Sequence, residues 1–402
     1  MAATAPVLSL RDLNRALLSR QLLLERHRLP AADPAARSAR VVQTIEHLAG
    51  LQAQAPFPPY YGLHSRLDGF VPEDLAALIT GREVVRIALM RGTIHLVSAR
   101  DALPLRRLVQ PVIERGMRSA FGRQLAGVEP AALAAAGRVL VEAEPMTFSA
   151  LGRALAGRWP HHPPAALAQG VRAYLPLVQV PPRAVWGQAG QPRHTSAEHW
   201  LGQPAGPYPV RPAGPAELAG LVTRYLGAFG PATVRDIQAW SGLTGLKAVV
   251  EELRPALVTF ADVQGTELFD LPGAPRPGAS VPAPARLVAE FDNLVLSHAD
   301  RSRILSAENA KRLYTVNGVI PGAVLIDGFV AGMWRLAAGR ALTTLGIELF
   351  GPAGGQPAGE WPPAGEREGL IGEAERVLEF CAPGTAHHIR FGPLAELAVR
   401  RP

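Results

Sequence analysis

Apolar residues at Leu10, Leu13, Leu17 and Leu18 recur at helical spacing behind a Ser9-Leu-Arg-Asp12 start, which predicts a capped helix. The same period returns with Val41, Ile45 and Leu48 and predicts a second helix from Ser38 through Leu51. A third is expected from about Glu73 to Ile79. Two β-rich runs follow, residues 84–90 and 93–97, joined by Arg91-Gly92. Three helices and a two-stranded ribbon make the order of a winged helix. Ser98 with Asp101 then opens another helix.

The pattern recurs. Helical stretches run from Pro130 to Glu144, from Phe148 to Gly157 and over 165–175, followed by two short extended runs near 178–187 and 193–200 that read as a second wing. A third copy starts at Pro215, passes through a helix-turn-helix spacing over 230–253, and closes with the runs 257–263 and 266–271. A Pro/Gly-rich linker over 271–285 leads into alternating apolar residues around Asp327-Gly328, a strong hairpin-turn signal. One further strand, a loop expected to be mobile over 351–367, a helix and a terminal strand end the chain. The expected fold is α+β and mainly helical: a first winged-helix unit at 1–125, a second at 126–212, a third at 213–272, and a β-rich, barrel-like domain at 273–402.

Composition adds three constraints. Cys381 is the only cysteine, which excludes an intramolecular disulfide and any cysteine-based metal cage. No apolar run approaches the roughly 18 residues of a membrane span, and the N-terminus lacks a basic, then apolar, leader, so a cytoplasmic protein is expected. Only two of the 41 basic residues, Lys247 and Lys311, are lysines, as a GC-rich coding sequence produces. The positive charge is uneven. Residues 1–130 carry 17 arginines against 11 acids, and 131–215 carry 7 against 3. A basic front half suits a polyanionic partner, nucleic acid first.

The chain has no phosphate-binding glycine loop, no metalloprotease helix motif and no nucleophile elbow. The paired histidines His161-His162 and His387-His388 lack partners at ligand spacing, so no metal and no cofactor is expected. The segment Gly50-Leu-Gln-Ala-Gln-Ala-Pro56 is different. Gln52 continues the apolar face of the second helix, and Pro56 ends helical geometry near Gln52–Gln54. An extended chain there projects both amides to one side, where they can hold one water. On the pattern alone, capping of the helix end by the same two side chains is the plainer reading.

With its flanking residues 55–67, with Met90-Arg-Gly-Thr-Ile-His-Leu-Val-Ser-Ala-Arg-Asp101, and with the C-terminal blocks 290–304 and 316–336, this segment resembles the winged-helix DNA glycosylases of the AlkZ and YcaQ type. The resemblance runs from Leu10 to about Phe391, and Gln52-Ala53-Gln54 matches the Gln-x-Gln form of the AlkZ-like branch. It implies three tandem winged helices around a DNA channel. It also implies hydrolysis of the N-glycosidic bond of alkylated purines, chiefly N7-alkylguanine, including bulky adducts and crosslinks. Gln52 and Gln54 would then be the catalytic pair.

Other candidate DNA contacts are Thr93 and His95 on the first wing, and Asp292, Asn293, His298, Arg301 and Arg303 in one C-terminal block. The arginines suit phosphate, while Asp292 and Asn293 also suit turn capping, and a structural ion-pair cluster fits the block as well. Trp186 and Trp240 read as core residues. Bulky lesions favour an open channel over a deep base-flipping pocket, with the wings or the 326–333 hairpin as groove probes. The expected partner is double-stranded DNA carrying alkylated guanine, bound by a monomer with no membrane contact. Two alternatives accompany this expectation: a winged-helix transcription regulator, and a protein that binds adducts without removing them.

Overall fold

The structure is a computed structural model describing residues 5–206, 208–314, 318–339, 341–351 and 362–397. The mobile loop expected over 351–367 lies mostly outside the described residues. The architecture is α+β with several sheets, none closed into a barrel.

The chain opens with β1 (Val7–Leu8) and α1 (Leu10–Arg20). The Ser9–Asp12 box forms as the spacing predicts: the Ser9 hydroxyl accepts from the Asp12 amide at 3.2 Å, and the Asp12 carboxylate accepts from the Ser9 amide at 3.0 Å. Then follow β2 (His27–Arg28), α2 (Pro34–His47), β3 (Leu51–Gln52), α3 (Pro58–His64), β4 (Leu67–Asp68), α4 (Pro72–Thr80), β5 (Val84–Ala88) and β6 (Ile94–Ser98). α5 (Ala99–Leu108) and α6 (Gln110–Phe121) lead to α7 (Pro130–Ala143), α8 (Phe148–Ala156), α9 (Pro164–Tyr174), β7 (Leu177–Gln179), β8 (His194–Ser196) and α10 (Ala197–Leu201). A third group comprises α11 (Pro215–Phe229), α12 (Val234–Ser241), α13 (Lys247–Leu253), β9 (Val258–Asp262) and β10 (Glu267–Asp270). The C-terminal part contains β11 (Arg286–Val288), α14 (Ala307–Leu313), β12 (Gly322–Ile326), β13 (Phe329–Ala338), β14 (Leu342–Leu349), α15 (Ala364–Cys381) and β15 (Ala386–Phe391).

Three helices followed by an antiparallel strand pair occur in chain order from α7 to β8 and from α11 to β10. Before β5 and β6 there are four helices, α1 to α4, because Pro58–His64 forms the helix α3 that the sequence reading did not expect. The first two hairpins do not stand apart as wings. β5 pairs with β7 through Arg86 opposite Gln179 and Ile87 opposite Val178, so β3-β6-β5-β7-β8 is one sheet. β1 likewise runs parallel to β9, which ties the N-terminus to the third group. One apolar core extends across these groups, joining Leu17, Ile87, Val97, Val178, Phe229, Trp240 and Val288.

Two expectations are corrected. The second helix ends at His47, not Leu51. Ala49 (φ 54°) and Gly50 (φ 90°) turn left-handed, and the Gly50 amide returns to the Ile45 carbonyl at 2.9 Å. A Cβ at Gly50 would lie 2.7 Å from Val97, so the break is built for glycine. Gln52 consequently lies on a strand at the edge of the wing sheet rather than on a helix face. The second correction concerns the C-terminal part, which is an open five-stranded sheet in the order β11-β12-β13-β14-β15. Its last strand is parallel to β14, an arrangement that requires the crossover helix α15.

Asp327 (φ 46°) and Gly328 (φ 83°) make the turn between β12 and β13, but its tip is not free to probe a groove. The Asp327 carboxylate takes Arg11 at 2.8 Å and Arg15 at 2.5 Å, and the Asn14 amide donates to the Gly328 carbonyl at 2.8 Å. A Cβ on Gly328 would lie 2.5 Å from Asn14 Oδ1 and 2.6 Å from Leu18. Gly328→Ala is expected to cost about 1–3 kcal/mol through the left-handed backbone and this contact, seen as a lower midpoint in thermal or urea unfolding. An unchanged midpoint would show that the hairpin docks otherwise.

Candidate active site

Gln52 closes β3 opposite His95 of β6, and the next amide, Ala53, donates to the Ile94 carbonyl at 2.7 Å. This pairing brings the glutamine segment against the 90–94 turn. Arg91 there has φ 56°, an unfavourable value for a side chain other than glycine. Its guanidinium donates to Gln52 Oε1 at 2.7 Å, to Asn293 Oδ1 at 3.1 Å and to the Trp240 carbonyl at 2.6 Å. Two residues past Gln52, Gln54 Oε1 accepts from the Ile94 amide at 3.2 Å.

These contacts fix both amides. A guanidinium and a backbone N–H only donate, so each glutamine must turn its oxygen toward the 91–94 turn and its NH2 away from it. Each oxygen keeps one lone pair for a further donor, such as water. Gln52 is 8% exposed, while Gln54 is open to solvent, so the pair has one sheltered and one accessible member. From the other side Arg86 holds the segment: its Nη2 donates to the Ala53 carbonyl at 2.6 Å and more distantly to that of Ala55 at 3.3 Å. Its Nε and Nη1 are buried without partners among the described residues. Burial, followed by the charge of Arg183, pushes the Arg86 pKa down to about 9.

The other sequence candidates divide. Asn293 joins the cluster, accepting from Arg91 and donating to the Gly50 carbonyl at 3.2 Å. Thr93 lies in the same turn with its hydroxyl on the Met90 carbonyl at 3.1 Å. Arg301 is partly exposed and close enough that its charge, after burial, helps lower the Arg91 pKa to about 10.

Asp292 instead forms a buried bidentate pair with Arg66, both contacts at 2.9 Å. His298 rests in the interior against the Phe229 carbonyl at 3.1 Å, and Arg303 donates to the Pro231 carbonyl at 2.6 Å. His95 is fully buried, with Nδ1 at 3.2 Å from the Thr93 carbonyl and Nε2 without a partner among the described residues. These four side chains are committed inside the protein. Their apolar neighbours in sequence gave no warning, because burial is set by long-range packing. Trp240 is fully buried, and Trp186 packs among Phe57, Tyr60, Tyr61 and Phe380, in line with core roles.

Sequence reading missed Arg91, Arg86 and the Trp240 carbonyl. Arg91-Gly92 between two strands did signal a tight turn; the direction of the arginine was not legible. Cavity size is no guide here either. A cavity of about 820 Å³, lined by Arg106, Tyr174, Glu198 and Tyr208 among others, includes none of Gln52, Gln54 or Arg91. Among the described residues no group of three His, Cys, Asp or Glu side chains gathers as a metal site, and no helix is long and apolar enough to cross a membrane.

The sequence profile described as DNA glycosylase AlkZ-like matches residues 45–380, and the chain belongs to that family. Among its relatives is the interstrand DNA cross-link repair glycosylase of Streptomyces sahachiroi, 30% identical over 139 residues, which are 32% of this chain and 37% of that protein. The chain thus matches little more than a third of that curated relative's length. The solved structure of the Streptomyces sahachiroi DNA glycosylase AlkZ shares the fold, with a TM-score of 0.72 at 18% identity over 96% of this chain and 100% of that one.

Burial also sets a pH response. It holds the imidazoles of His64 and His95 near a pKa of about 3 and that of His194 near about 4, and burial, followed by the charge of Arg303, lowers that of His298 as well. Unfolded histidines titrate near 6.5. Below that value the unfolded chain takes up protons that the folded chain refuses, so stability is full above about pH 6.5 and falls toward pH 4. The slope is about 1.4 kcal/mol per pH unit for each proton taken up. Urea midpoints at pH 5 are expected to lie clearly below those at pH 7.5. Equal midpoints would mean that these rings are protonated in the fold.

Proposed function

We propose that this protein is a monofunctional DNA glycosylase that hydrolyses the N-glycosidic bond of cationic N7-alkylguanine, including bulky adducts or interstrand crosslinks left by a genotoxic natural product. The observation that carries this assignment is the fixing of two neutral carboxamides, Gln52 and Gln54, by donors of one turn, with no carboxylate among their hydrogen-bond partners. An amide oxygen orients water but does not take up its proton near neutral pH, so this pair is a poor acid–base device. Alkylation at N7 removes the need for one. The purine already carries a positive charge and leaves as a neutral base, and the protein has only to place water and steady the oxocarbenium-like sugar.

Lesion preference follows from the same chemistry: a neutral base such as uracil has no such activation. The name of the Streptomyces sahachiroi relative supports crosslinks as the lesion class. In this proposal the three helical groups with their strand pairs act as winged helices around duplex DNA, and the chain works as a monomer. Lyase chemistry needs an amine nucleophile. Lys247 on α13 and Lys311 on α14 take no part in the contacts that hold Gln52 and Gln54.

The test uses duplexes containing N7-methylguanine or uracil, followed by alkaline cleavage of abasic sites. The native protein is expected to release the methylated base and not uracil, and borohydride is expected to trap no covalent adduct. Gln52→Ala and Gln54→Ala should each slow release by about 10²-fold or more. Tight binding without release would establish instead a regulator or an adduct-sequestering protein. Equal rates on uracil would contradict the role given to the amides.

A further inference from the structure

Some buried or half-buried arginines in this protein face carboxylates: Arg20 pairs with Asp270, Arg66 with Asp292, Arg26 with Glu373 and Arg37 with Asp74. Others, Arg86, Arg106 and Arg303, donate only to carbonyl and amide oxygens among the described residues. Beside the two glutamines lie two more arginines that face no carboxylate among the described residues, and unlike Arg106 and Arg303 they are not fully buried. The acceptors of Arg91 (the Trp240 carbonyl, Gln52 and Asn293) are all neutral. Arg301 enters no ion pair among the described residues; its guanidinium lies 4.9 Å from the centre of the Tyr314 ring, and its Nε is buried without a partner. The adjacent Asp300 spends its carboxylate on Ser302, at 2.9 Å to the amide and 3.1 Å to the hydroxyl.

The two cations are neighbours through a short chain of contacts. Tyr314, which carries Arg301 on its ring, donates its hydroxyl to the Val295 carbonyl at 2.7 Å, two residues beyond Asn293. Asn293 accepts in turn from Arg91. A third guanidinium, Arg172, approaches the same turn and donates to the Gly92 carbonyl at 2.8 Å.

Sheltered cations without counter-charge are costly unless a partner supplies one. Guanidinium forks match the oxygens of a phosphate in both geometry and charge. We propose that Arg91 and Arg301 together form a seat for one DNA phosphodiester, that of the nucleotide whose glycosidic bond faces Gln52 and Gln54. This rests on the glycosylase assignment above and specifies which part of the substrate the site grips. Arg91 would hold Gln52 and the phosphate with one guanidinium, so the backbone is seated at a set position relative to an amide that Arg91 already fixes. Arg301 contributes charge from the partly exposed side of the site. A correctly placed backbone is thereby brought up to the fixed amide before any contact with the base, which suits lesions of varied bulk.

The test is a cycle between protein and DNA. Duplexes carry a tetrahydrofuran abasic-site analogue and a single neutral methylphosphonate at one of the phosphates flanking it. Binding is measured for the native protein and for Arg301→Gln, a change at a partly exposed position whose folding is checked by circular dichroism and thermal melting. At one flanking phosphate the methylphosphonate is expected to weaken native binding about tenfold and to weaken Arg301→Gln binding less than about twofold. The slope of log K against log salt should fall by about 0.9 in the variant. Independent, multiplying losses, or no sensitive phosphate, would overturn the seat. Base release from an N7-methylguanine duplex is measured in parallel. Release with an additive cycle sinks the seat and leaves the glycosylase standing; a coupled cycle without release does the reverse.

Discussion

The site depends on a strained turn that points two donors at two amides. Arg91 occupies a left-handed backbone conformation and reaches Gln52, while the amide of Ile94 reaches Gln54. Without those donors a glutamine side chain samples many rotamers and either flip, and it would hold water only by chance. With them, each carbonyl has a fixed direction and one remaining lone pair. The strain at Arg91 is offset by its three acceptors, drawn from β3, from the end of α12 and from the 293–295 turn, so parts of the chain far apart in sequence meet on one guanidinium.

The rest of the fold serves that meeting. Gly50 breaks α2 and lets β3 join the edge of the wing sheet. Arg86 grips the Ala53 carbonyl from beneath, and the buried Arg66–Asp292 pair fixes the start of the segment that delivers Asn293. A lost partner in a buried pair of this kind costs about 3–5 kcal/mol, so that segment is held firmly. The continuous core beneath these contacts makes the helical groups one frame, on which a site of neutral amides can be as rigid as one built from charged residues. A rigid but chemically mild site matches the substrate proposed above, whose leaving group is already charged.

Much of this was legible in the sequence where local chemistry decides. The Ser9–Asp12 box, the Ser98 cap, the Asp327-Gly328 turn and the second and third successions of helices and a strand pair follow from spacing; in the first succession the helix Pro58–His64 was not legible. The Gln-x-Gln segment stood out because an amide continued an apolar face. Gly50 carried a signal that the helical period of Val41, Ile45 and Leu48 overrode. What sequence did not carry was long-range. The joining of two hairpins into one sheet, the docking of the 327–328 turn on α1, and the burial of Asp292, His298 and Arg303 each depend on partners more than 60 residues away. The expected barrel failed for a related reason: closure requires the two edge strands to meet, and β11 and β15 do not.

The most direct measurement is a crystal structure of the protein on a duplex holding a cationic azasugar, a mimic of the oxocarbenium sugar, in place of the lesion nucleotide. The azasugar is expected beside Gln52 and Gln54, with one water held by their carbonyl oxygens and Arg91 still bonded to Gln52. An azasugar seated elsewhere, with the two amides facing only protein, would contradict this expectation.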